Sequence, residues 1–140
     1  MNLNLTTGEL EILPAIRIYP GMTLSDLNRE DVDWEVWITN GTDPIAFRTI
    51  IPASQSTHGE KLILLTFFSP DGGKELTEWN LKPMGKFTGT QKKIEGKNTK
   101  AARTWFKERF NADLPLNRPW GSIDAAYDAQ NLSTLIIYNR

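Results

Sequence analysis

The chain has 140 residues, 39% hydrophobic and 24% charged, with six Phe, five Trp, three Tyr and no cysteine. That fits one ordinary globular domain with a core that needs no staple, and excludes a disulfide framework, a thiolate nucleophile and any cysteine-based zinc or iron–sulfur site. The net charge of −1 names no partner. Met1–Glu9 carries no signal-peptide pattern and no apolar run approaches the ~20 residues of a membrane span, so a cytoplasmic location is expected. Charge is unevenly spread: residues 1–58 hold eight acids against three arginines, whereas residues 82–109 hold nine bases against Glu95 and Glu108. Such asymmetry steers charged partners.

Along the chain, Leu3–Ile12 alternates around a Thr6-Thr7-Gly8 break, and Ile16 alternates with Ile18 after Pro14, which predicts two short strands or a bent one. Pro20-Gly21 marks a turn. Thr23 and Asp26 have capping-box spacing, with Leu24 and Leu27 one turn apart, predicting a short helix over about 24–31 that fades in the acidic run. Asp33–Asn40 reads as a strand with Trp34, Val36 and Ile38 on a half-buried face and Glu35, Trp37 and Thr39 opposite. Asn40–Pro44 forms a turn, and Ile45–Ile51 returns as the hairpin partner. After the polar loop Pro52–Gly59, Lys61–Phe68 is apolar on both faces, the pattern of a central strand covered on both sides. Ser69–Gly73 turns the chain into a strand over Glu75–Leu81.

Residues 82–97 have the Gly, Lys and Thr composition of a mobile basic linker. Asn98 or Thr99 then caps the main helix, about 98–110, with Ala102, Trp105, Phe106 and the stem of Arg109 inward. Trp120–Tyr127, a turn at Asp128–Asn131 and Leu132–Tyr138 make a C-terminal β-hairpin. The order predicts a single α+β domain over residues 1–140, mostly antiparallel sheet with one main helix.

No catalytic constellation is legible. His58, the lone histidine, stands in Ser54–Gly59 without a nucleophile elbow or triad spacing, and reads as a polar loop residue. Glu30, Asp31, Asp33 and Glu35 have the carboxylates of a hard-cation site, and the last three alternate, but they lack the glycine and terminal glutamate of a calcium loop; a solvated acidic strand face is the simpler reading. No phosphate-loop spacing occurs around Lys82–Thr90. No metal and no cofactor are therefore expected.

Trp120-Gly121-Ser122-Ile123 with Tyr127-Asp128, followed by Ser133–Tyr138, resembles the C-terminal hairpin of small bacterial immunity-type proteins, which are encoded beside polymorphic or contact-dependent toxins. Thr7-Gly8-Glu9-Leu10-x-Ile12, Ile18–Leu24 and Trp105 are similar in placement, while residues 40–95 have no counterpart. The resemblance implies a non-enzymatic protein that neutralises a cognate toxin by occluding its surface. It transfers no contact residues, since these vary with the toxin. Charge places the partner-binding surface at Asp26, Glu30, Asp31, Asp33 and Glu35, which would be steered to a basic cleft, with Trp37 as an anchor. One alternative is a nucleic-acid-binding module built on Lys86, Lys92, Lys93, Lys97 and Lys100 interleaved with Phe87, Trp105 and Phe106. Another is a small enzyme or ligand carrier with a deep polar pocket holding His58 or paired acids. The sequence assigns no oligomeric state.

Overall fold

A computed structural model describes residues 1–89 and 91–140. Thr90, inside the expected linker, lies outside the described residues. The N-terminal segment forms a three-stranded antiparallel sheet of β1 (Asn2–Leu3), β2 (Leu10–Leu13) and β3 (Ile16–Ile18). Asn4 starts the β1–β2 turn by accepting the Thr6 and Thr7 backbone N–H groups on its side chain, a local bond for which asparagine is suited.

Helix α1 spans Leu24–Asn28 behind a complete capping box: the Thr23 hydroxyl accepts from the Asp26 N–H, and the Asp26 carboxylate from the Thr23 N–H. It stops short of the expected 31. No basic residue stands in its last turn, so the acidic run meets the negative end of the helix dipole uncompensated. Glu30 instead folds back, accepting the Arg17 N–H at 2.9 Å and the Trp34 indole N–H at 3.2 Å.

The large sheet contains β4 (Glu35–Asn40), β5 (Asp43–Ile51), β6 (Leu62–Phe68), β7 (Leu76–Pro83), β8 (Leu116–Arg118), β9 (Gly121–Asp128) and β10 (Ser133–Asn139), ordered β4-β5-β6-β7-β10-β9-β8 with every neighbouring pair antiparallel. The expected hairpins are present. β8 was not expected, because three residues carry no readable alternation.

Helix α2 spans Lys92–Phe110, beginning about six residues earlier than its predicted start. Neither expected cap serves: Asn98 donates its amide to the Thr88 carbonyl and Thr99 its hydroxyl to the Glu95 carbonyl. The actual N-cap, Gln91, makes no side-chain capping bond, so the true start carries no sequence signal. With Lys82 and Pro83 closing β7, only residues 84–91 connect the two elements.

α2 lies over β9, β10 and β1 and buries Ala102, Trp105, Phe106 and Phe110. Beneath it, Trp79 stacks on its cross-strand partner Tyr138 at 5.8 Å, and Leu64, Leu81, Ile123 and Ile136 continue the same buried layer. Leu10, Ile12, Ile18, Met22 and Leu27 join this core from the N-terminal segment. Only one face of the large sheet is covered in this way. Two expectations change accordingly. β6 is central in order, yet Ile63, Leu65 and Phe67 are half-exposed where two-sided cover was expected. In β4 all six residues are exposed, Val36 at 48% and Ile38 at 43%, because an edge strand has a neighbour on one side only.

Candidate functional site

The uncovered face of the large sheet is a groove of about 490 Å³. Strand alternation sets its floor, because residues two apart share a face. Ile63, Leu65 and Phe67 on β6 stand opposite Lys82, Asn80 and Glu78 on β7, and Ile137 on β10 is the far partner of Asn80. Arg48 on β5 pairs with Leu65, so Arg48, Leu65, Asn80 and Ile137 form one row across four strands. Trp37 and Ile38 line the groove from β4; Tyr127, Asp128, Gln130 and Asn131 line it from the terminal hairpin, together with Leu135, Met84 and Gly85.

Most polar groups here already have partners. Arg48 donates through Nε and Nη2 to Glu35, at 3.2 and 2.6 Å, and its guanidinium lies 4.3 Å from the centre of the Trp37 ring. The 45%-exposed Trp37 is thus held in place by a cation that a carboxylate holds in turn. Lys82 donates to the Ser133 hydroxyl at 3.1 Å. Asp128 accepts from the Gln130 N–H and the Asn131 amide, closing the hairpin turn. Glu78 differs. Burial pushes its carboxyl above the ordinary range; the Asn80 amide partly offsets this, and the charge of Asp128 adds to it.

The expected acidic surface is not one cluster. Asp26 is consumed by the α1 capping box and Glu30 by its bonds to Arg17 and Trp34. Glu35 and Trp37 converge on Arg48. Asp31 and Asp33 are exposed before β4, beside a second hollow of about 320 Å³ floored by Ile16, Thr49 and Ile51. Of the basic set, Lys86 pairs with Glu60 at 3.0 Å, and Lys92, Lys93, Lys97 and Lys100 are exposed along α2. Trp105 and Phe106, which a base-stacking platform would need outside, are core residues at 4% and 0% exposure. His58 sits in an exposed loop, and the described residues contain no group of three or more His, Asp or Glu able to hold a metal.

Leu65, Glu78, Asn80, Leu135 and Ile137 were not singled out from sequence. For Leu65 the signal was the two-sided apolarity of Lys61–Phe68, which implied cover on both faces when one of the two faces is the groove; the other four lie on β7 and β10, whose sequence does not say which face is left open.

The model of the RhsI1 immunity protein family matches residues 1–140. The chain belongs to that family. It is also similar to a solved structure described as Rhs1-CT in complex with cognate immunity protein RhsI1, with 34% identity over 99% of this chain and 86% of that chain, and a TM-score of 0.84. No curated protein matches it. The family bears out the resemblance carried by the chain ends and extends it across residues 40–95, where no counterpart was legible. It is a family of toxin-neutralising proteins that act by binding a protein, on an α+β fold. No helix among the described residues is long and apolar enough to cross a membrane.

Proposed function

We propose that this chain neutralises a cognate Rhs C-terminal toxin domain by stoichiometric binding through the open face of its large sheet, performing no catalysis and acting in the cytoplasm. The observation that carries the assignment of the face is its composition. Half-exposed Ile63, Leu65, Phe67 and Ile137 lie in rows on a rigid sheet, beside a Trp37 pre-organised by Arg48. An apolar centre with a polar rim and an aromatic anchor is how protein interfaces concentrate binding energy. A rigid sheet also reduces the ordering cost of association. Glu35, bonded to Arg48, contributes an acidic margin at the β4 end, while Asp31 and Asp33 lie by the second hollow and Asp26 and Glu30 serve the fold.

The test places a charge in the middle of the floor. Leu65→Arg and Ile137→Arg each weaken binding of the toxin domain at least 100-fold by calorimetry and abolish protection of cells expressing that domain, with thermal melting close to wild type. Undiminished affinity in both variants would move the interface elsewhere.

A further inference from the structure

Among the described residues, no cation pairs with a half-buried carboxylate of the groove floor, that of Glu78. Glu78 is half-buried, with Phe67 as its cross-strand partner on one side and Asn139 on the other. Its one hydrogen-bonding neighbour among the described residues is the Asn80 amide, which in the orientation its surroundings require donates at 2.9 Å. The cations of the groove are used elsewhere: Arg48 by Glu35 and Trp37, Lys82 by the Ser133 hydroxyl. Lys82 is four residues along the same strand from Glu78, roughly 13 Å away at ~3.3 Å per residue. Asp128, the other acid lining the groove, adds negative charge. A carboxylate withdrawn from water without a cation is a standing cost, and one that a binding partner can relieve.

We propose that the occupant of the groove is a segment of the cognate toxin that sets a lysine or arginine against Glu78, with apolar side chains to either side resting on Leu65, Ile137 and Trp37. This deepens the reading of the open face given above and rests on it. The groove volume lies within the range of sites that enclose a small ligand, so a few side chains of a loop or strand fill it. The basic group supplies the charge-assisted hydrogen bonds that Glu78 lacks, and the apolar flanks exclude the water that would compete for them.

The experiment measures toxin-domain binding to the full chain by calorimetry across a salt series, for wild type, Glu78→Gln and Leu65→Arg. Glu78→Gln keeps the shape and removes the charge; it is expected to weaken binding roughly 10- to 100-fold and to flatten the salt dependence. Its melting temperature is expected to equal or exceed that of wild type, so lost binding is not lost folding. If Leu65→Arg abolishes binding while Glu78→Gln binds like wild type, the groove is the interface but holds no basic anchor, and the inference falls alone. A Glu78→Gln variant that binds weakly with an unchanged salt slope also overturns it, since the residue then acts by shape. Wild-type affinity in Leu65→Arg removes the inference, and together with wild-type affinity in Ile137→Arg it removes the reading beneath it as well.

Discussion

Glu60 and Glu78 are both partly buried glutamates, and the groups around them send them in opposite directions. Burial would raise the Glu60 carboxyl, but the Trp105 indole N–H, Lys86 and Arg109 all donate to it and the Arg109 charge adds, holding it below the ordinary range. Its closest bond is 2.7 Å from Arg109, and both side chains are 12% exposed. A lowered folded-state pKa gives stability that is present above the unfolded value and is lost as pH falls through the folded value. Glu60→Gln is expected to cost about 3 kcal/mol at neutral pH, since Arg109 then stays buried with only Glu108 as an acidic partner. It should also flatten the loss of stability on acidification in urea titrations. Glu78, raised, has the reverse sign: its charged form opposes folding, and the penalty fades as pH falls through its folded-state value. The same titrations on Glu78→Gln are expected to show stability at or above wild type. The Glu60 knot was invisible in sequence. It joins a loop residue to a helix 45 and 49 positions away, and no local pattern encodes such a meeting.

At the level of elements, the terminal hairpin was read correctly because two strand-like runs, Trp120–Tyr127 and Leu132–Tyr138, flank a polar turn. Its anchor was not visible. Gly121 has φ +146°, and a Cβ there would come within 2.5 Å of the Tyr138 ring and 2.6 Å of the Asn139 carbonyl. Tyr138 in turn donates its hydroxyl to the Trp120 carbonyl at 3.0 Å. Gly121→Ala is therefore expected to destabilise by about 2–4 kcal/mol, combining backbone strain with overpacking, seen as a lowered melting temperature. α1 was legible from its capping box, a two-residue signal read within one turn. The start of α2 was not, because Gln91 offers no cap and the residues that resemble caps, Asn98 and Thr99, serve inside the helix.

For the whole molecule, the placement of β10 is decisive. The last strand lies between β7 and β9, so the C-terminal residues join the two parts of the large sheet and complete the core under α2. A chain ending before Ser133 leaves β7 and β9 with unpaired edges and removes Ile136 and Tyr138 from the core. It is expected to lose cooperative unfolding, as circular dichroism with heating would show; a sharp transition in that truncation would contradict this placement. Local patterns were enough to locate the longer strands and their hairpins and to give the α+β class, though not β8 or the division of the N-terminal segment into three strands, and the end motifs were enough to point to the immunity family, because both are written in neighbouring residues. The use of each face was decided only in three dimensions. Alternation divides Leu62–Phe68 into two apolar rows without saying what covers them. That depends on α2 and the N-terminal sheet, distant in the chain, packing on one side. The row they leave open is the groove, with Trp37, Arg48 and Glu78 brought to it from three separate strands.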